Sequence, residues 1–420
     1  MNAANPMFAT DSSASRSAGA SAPETALTVA LALCLLFSQV SISVVQIFLG
    51  CALALWIYLL IRKKRRFAAP GYFWPLLVYV ALSLVSSAFS VNPGLSFKDS
   101  KELLLYILIP IVLTAFTRLR DFGVLSWALL TSGLANGLYS IGYEIVKAKP
   151  AERVKGFMGH YMTQAGLLVL FSSVALGFIF FSKGKKRLVW AAGFVLASAA
   201  LGLTFTRSGW IGLAVALGVI LLLWKPKALI LVPVLAALVF LAGPRAIRER
   251  AASIFSLRDP SNIERIEYFR AGIRIIRDFP LLGTGPDTVD LVFQNPKYGL
   301  DVRARHNVHL HSDIMQIGAE RGIAALLAWL AFVITAFVSL ARLVKKKDFE
   351  IFPFATAALA ALAAFFVAGF FEYNFGDSEI ATLLLFIVTL PFAIERISAS
   401  GPAPKTLEPG SRAAGPEKTS

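Results

Sequence analysis

The sequence predicts an all-α polytopic membrane protein with about twelve transmembrane helices and one long helical loop outside the membrane. Three observations lead there. Of 420 residues, 57% are hydrophobic and 16% charged, with a mean hydropathy of +0.68, too apolar for a water-soluble domain. Apolar runs of membrane-crossing length recur along the chain. Basic residues gather in short segments between those runs, which accounts for most of the formal charge of +16 without invoking nucleic acid.

The runs fall at 26–42, 43–61, 72–90, 102–117, 122–145, 161–182, 188–205, 208–224, 228–243, 319–341, 352–371 and 379–395. The first two are separated only by a weak polar break at 38–43. Residues 1–25, rich in Ala and Ser, are expected to form a disordered cytoplasmic tail. They lack the basic start of a signal peptide, so the first span is expected to be retained. Helices 1–9 then occupy 26–243, a loop 244–310, helices 10–12 311–397, and a second disordered cytoplasmic tail 398–420. Basic clusters at 62–66, Arg118 and Arg120, 183–187, Lys225 and Lys227, and 342–347 lie in alternate loops. That side is expected to be the cytoplasm. Both termini are then cytoplasmic, and loops 91–101, 146–160, 206–207, 244–310 and 372–378 face outward. Cys34 and Cys51 sit inside apolar runs and read as small buried hydrophobes rather than a disulfide.

The outward loop differs from the cytoplasmic ones in its chemistry. Residues 243–310 hold ten Arg, one Lys and eight acidic residues. A planar guanidinium grips phosphate oxygens in a bidentate fork, whereas Lys acts as a point charge. Apolar residues at Ile263, Ile266, Phe269, Ile273 and Ile276 predict a helix over 262–279, ended by Pro280 and the turn-rich segment 281–286. Such a helix lies on the membrane surface or caps the bundle. Arg270, Arg274 and Arg277 share one edge and read as solvated, while Arg265 falls on the opposite edge beside Gly272.

All four histidines, His160, His306, His309 and His311, fall on the outward side. His311 opens the pattern His311-Ser312-x-x-x-Gln316-Ile317-x-Ala319-Glu320-x-Gly322, which runs directly into a span, with Ser312 and Asp313 placed to cap it. Its imidazole suits a general base near neutral pH. His306, His309 and His311 also form a rival His-x-x-His-x-His metal motif. With no nearby Cys and no His-Glu-x-x-His pattern, zinc is the weaker reading, so no metal and no cofactor are expected. His309 reads as a supporting or structural residue. Arg207 stands in a tight outward turn, 205–210, where anion binding competes with simple snorkelling. Arg265 and the pair Arg153 and Lys155 are further anion-binding candidates.

Three motifs together resemble the O-antigen ligase and polymerase superfamily of bacterial membrane glycosyltransferases, over roughly 150–400 of the chain. They are Thr206-Arg207-Ser208-Gly209-Trp210 after a span, Arg265 followed by Phe279-Pro280-Leu281-Leu282-Gly283-Thr284-Gly285-Pro286, and His311 through Gly322. Ser312 stands where the family usually has Asn, and Met315 where Leu is frequent. The resemblance implies a fold like the GT-C glycosyltransferases in the bacterial inner membrane, with the active site at the periplasmic face. It implies inverting, metal-independent transfer of a glycan from undecaprenyl diphosphate, the acceptor in the ligase branch being lipid A-core oligosaccharide. On this reading His311 is the base and Arg207, Arg265 and Arg153 hold the diphosphate. His309, Glu320 and Lys155 support them. The chain contains no obvious carboxylate pair for a covalent glycosyl-enzyme. An O-antigen polymerase or a protein O-oligosaccharyltransferase would share the donor chemistry. A lipid or glycan transporter is the alternative of another class, but transporters place ionisable residues near the bilayer midplane, and here they border the spans.

Overall fold

The computed structural model describes residues 21–147, 153–181, 184–298 and 309–400. Most of both expected tails, His306, and the loop residues 299–308 lie outside them. The described residues are helical, with no strand. In chain order the helices are α1 (Ala22–Phe37), α2 (Ile42–Ile61), α3 (Phe73–Ala88), α4 (Pro93–Asp99), α5 (Leu108–Ala115), α6 (Arg120–Lys147), α7 (Tyr161–Phe181) and α8 (Gly184–Leu203). They continue as α9 (Arg207–Trp224), α10 (Leu231–Ala242), α11 (Arg245–Ala252), α12 (Pro260–Asp278), α13 (Val289–Phe293), α14 (Asp313–Lys346), α15 (Phe352–Ala368) and α16 (Ser378–Ser400).

Each of the twelve apolar runs coincides with helix. Seven helices are long and apolar enough to cross a membrane, and four more apolar helices are shorter. The remaining run, 102–117, is not one straight span. It begins as a 3-10 helix, Ser100–Ile107, and becomes α-helical only at α5. Pro110 then falls in the first turn of α5, just after the change from 3-10 to α-helix, where its fixed φ suits the helix. The chain enters α1 earlier than the apolar run suggests. Ser21 and Glu24 form a reciprocal capping box, the Ser21 backbone N–H donating to Glu24 Oε2 at 2.8 Å.

The two sets of loops separate to opposite ends of the bundle. At one end Arg65 pairs with Glu24 at 2.8 Å, Arg396 reaches the Leu113 carbonyl at 3.4 Å, and Lys346 meets Glu395. At the other end Val154 N–H donates to the Leu203 carbonyl at 3.1 Å, Val91 N–H to Thr284 at 2.9 Å, and Phe375 N–H to Asp313 Oδ1 at 2.9 Å.

Helix α12 caps that second end. Asp259 accepts from Asn262 N–H at its N-terminus, Pro260 follows, and Phe279 ends it. Tyr268, Ala271, Gly272 and Ile275 form its buried face against α14. The apolar edge that predicted the helix is largely turned away, with Ile263 at 44%, Ile266 at 38% and Phe269 at 51% exposure. Ala271 and Gly272 permit close packing on one side, with Tyr268 and Ile275 filling it, while Ile263, Ile266 and Phe269 face outward.

Helix α14 is interrupted. Gly322 has φ 79° and ψ 173°, a region essentially restricted to glycine. The segment 280–285 inserts beside the break. Thr284 N–H donates to the Ala319 carbonyl at 2.9 Å, Gly285 N–H to Glu320 at 2.8 Å, and Ile323 N–H to Pro280 at 2.9 Å. Ser86 Oγ, on α3, also donates to the Leu282 carbonyl at 2.6 Å. A Cβ on Gly322 would stand 2.1 Å from the Leu281 carbonyl oxygen, and one on Gly283 2.2 Å from the Glu320 carbonyl carbon. Gly283 and Gly322 are thus explained by backbone meeting backbone. Gly322→Ala is expected to destabilise the protein by more than the ~1–3 kcal/mol of backbone strain alone, measured as a lowered midpoint of thermal unfolding in detergent. An unchanged midpoint would show that the two segments separate freely.

Candidate active site

A cavity of about 400 Å³ opens at the capped end, between α7, the α8–α9 turn, α11, α12 and the loops before α14 and α16. Arg153, Arg207, Arg250 and Arg265 line it together with His160, His309, His311, Tyr268 and Glu372. Four guanidinium groups around one polar cavity repel each other. Burial and the neighbouring Arg207 and Arg153 charges push Arg250 down to about 10. An anion placed among them relieves that repulsion.

His311 occupies the left-handed region at φ 50°, uncommon for a residue with a side chain. The bends on either side are tied down. Leu310 N–H donates to Gln316 Oε1 at 2.7 Å, and Asp313 N–H to the Gly369 carbonyl at 2.7 Å. Ser312 is the N-cap of α14 but makes no side-chain capping bond, and the Asp313 carboxylate serves the 369–375 loop instead. Helix capping therefore explains less of this motif than its spacing suggests.

The partner of His311 is Glu372, whose Oε1 lies 2.8 Å from Nδ1. Burial raises the Glu372 carboxyl, but the hydrogen bond and charge of His311 and the Arg265 guanidinium more than offset it, and the carboxyl is held below its ordinary range. An ionised Glu372 accepts a proton-bearing Nδ1, so in the neutral ring the basic nitrogen is Nε2. His309 is pushed down by burial and by His311, which keeps it uncharged beside the dyad.

The arginines differ in what they hold. Arg207 directs Nη1 to the Ser253 carbonyl and hydroxyl at 2.9 and 2.8 Å, and Nη2 to Asn262 and Asp259 at 2.7 and 3.2 Å. Its side chain is only 6% exposed. It clamps the loop before α12 to the α8–α9 turn and presents its charge to the cavity wall. Arg250 donates to the Phe205 carbonyl at 3.2 Å and shares Asp259 at 3.7 Å. Arg265 donates to the Phe371 carbonyl at 3.1 Å and to Ser261 at 2.9 Å, with Glu372 at 3.8 Å. Arg153 lies over the Tyr161 ring, 4.5 Å from its centroid.

Of the residues singled out in the sequence, Arg153, Arg207, Arg265, His309 and His311 converge on this cavity. Lys155 is exposed and does not line it. Glu320 lines a smaller neighbouring chamber instead. Among the described residues no group of three His, Cys, Asp or Glu side chains is arranged to hold a metal ion.

Residues 192–330 match the family model for O-antigen ligases. The match supports membership of the O-antigen ligase and polymerase superfamily. This superfamily segment carries Arg207, Arg250, Arg265, His309 and His311, whereas Arg153, His160 and Glu372 come from outside it. No curated protein matches the chain in sequence. The family and the apolar helices support a multi-pass membrane enzyme of the glycosyl-transferring type, with lipid-linked glycans as the substrate class.

Proposed function

We propose that the protein is an O-antigen ligase, an inverting glycosyltransferase that moves a glycan from undecaprenyl diphosphate to lipid A-core oligosaccharide at the periplasmic face of the inner membrane. Twelve membrane passes with both termini in the cytoplasm accompany this reading, as does a periplasmic cap formed by 244–310. The observation that carries it is one cavity holding the His311–Glu372 dyad among four arginines.

His311 Nε2 takes the proton of an acceptor hydroxyl as its oxygen attacks the anomeric carbon. The bond from that carbon to the diphosphate oxygen breaks, and the lipid diphosphate leaves with the electron pair. Arg265, Arg153 and Arg250 stabilise the growing negative charge, work that a metal ion does elsewhere. Arg207 adds charge and holds the wall in place. Glu372 orients the imidazole and stabilises the imidazolium. One displacement inverts the anomeric centre.

The test is transfer by purified protein from undecaprenyl-diphosphate-linked glycan to lipid A-core in the presence of a strong chelator. Ligated product is expected. Chain growth from donor alone would move the assignment to a polymerase, and product lost to the chelator and restored by metal would end the metal-free mechanism. Absence of transfer to any acceptor would overturn the enzymatic reading and favour a transporter.

A further inference from the structure

Beside the main cavity, and sharing His309 with it, lies a polar chamber of about 60 Å³. Its floor is Arg321, only 5% exposed. This guanidinium pairs with Glu320 at 2.8 Å, Asp99 at 3.2 Å and the Tyr373 hydroxyl at 3.3 Å. Its Nε is buried with no hydrogen-bond partner among the described residues, and so is His309 Nδ1. Asp99, Glu102 and Asp287 supply carboxylates at the rim, and Tyr79 and Tyr106 supply aromatic walls.

We propose that this chamber is a glycan subsite that reads hydroxyl groups of the acceptor sugar, deepening and resting on the transferase reading above. The chemistry selects the ligand. A phosphate would meet the rim carboxylates, and a cation would face the buried Arg321 guanidinium. A sugar hydroxyl is neutral and donates to a rim carboxylate without bringing charge into the chamber. The volume admits a hydroxymethyl group or the edge of a diol, with the rest of the ring in the larger cavity. Consecutive residues link the two spaces: Glu372 holds His311 while Tyr373 holds Arg321. A ring whose nucleophilic hydroxyl faces His311 can therefore send a second hydroxyl past His309 into the chamber.

The experiment has two arms, using full-length protein in nanodiscs. Saturation-transfer NMR with dephosphorylated core oligosaccharide, which offers no phosphate to the arginines, reads binding without catalysis. Signal is expected for wild type and a large loss for Glu102→Gln and Asp99→Asn. Glu102→Gln is the milder variant, since Asp99 also pairs with Arg321, and it keeps the test decisive if Asp99→Asn misfolds. In transfer kinetics Glu102→Gln should raise the acceptor KM about ten-fold, the scale of one charge-assisted hydrogen bond, with donor KM and kcat within about two-fold. No oligosaccharide signal in wild type, equal signals in wild type and Glu102→Gln, or a matching rise in donor KM would each overturn the subsite. Oligosaccharide binding that the variants abolish, in a protein that transfers nothing, would retain the subsite and remove the transferase reading.

Discussion

Glycan transfer by His311→Ala is expected to fall by at least ~10²–10⁴-fold, the range associated with a positioned general base, while the protein still folds and still binds donor. The imidazole is held by Glu372 at 2.8 Å on a backbone that needs Gln316 and Gly369 to keep its left-handed turn, so the loss should lie in kcat. Glu372→Gln should show a large part of the same loss. An amide in its place can present its NH₂ to Nδ1 and favour the wrong tautomer. The sign with pH follows from its position. Because the folded-state carboxyl is held below its ordinary range, its contribution to stability is full above about pH 4.3. It is lost only as pH falls through the lower folded value, so stability between pH 5 and 7 should not vary through this group. Normal turnover by His311→Ala would remove the dyad from the mechanism.

Arg207→Lys is expected to damage the protein in two ways at once. A lysine has no planar fork to serve the two Ser253 acceptors, Asn262 and Asp259 together. Disrupting a buried, hydrogen-bonded ion pair costs up to roughly 3–5 kcal/mol, so the unfolding midpoint should drop. The loop before α12 should loosen with it, raising the donor KM and lowering kcat/KM by roughly 10²-fold. Arg265→Lys provides the contrast. Its side chain is 21% exposed and holds fewer partners, so donor recognition should suffer with little change in the midpoint. Inorganic pyrophosphate, used as a probe, should raise the wild-type midpoint by mass action and do so less in both variants. Arg207→Lys with wild-type midpoint and donor KM would refute both the clamp and the charge assigned to it.

Much of the helical arrangement can be read from the chain because membrane helices advertise themselves by uninterrupted apolar length. The His311 motif and Arg207 stood out for similar reasons, as polar residues against apolar flanks. Glu372 carries a comparable signal, a lone carboxylate at the end of an apolar run. Its role becomes visible once the 369–375 loop folds against Asp313. Arg250 carried no mark of its own among the ten loop arginines; only the path of α11 brings it to the cavity. Glu320 is marked in the sequence only by its spacing within a helix. The break at Gly322 and the packing of Asp99 and Tyr373 turn it toward the smaller chamber.

That break has a mechanical consequence. The carbonyls of Ala319 and Glu320 take their hydrogen bonds from Thr284 and Gly285 instead of from the next turn of α14, so the short helical stub behind His311 belongs to the cap rather than to the shaft below it. A shaft that leans to fit a thicker or thinner bilayer would pivot at Gly322 and leave the imidazole in register. His311 is moored to the cap, and the membrane can breathe beneath it.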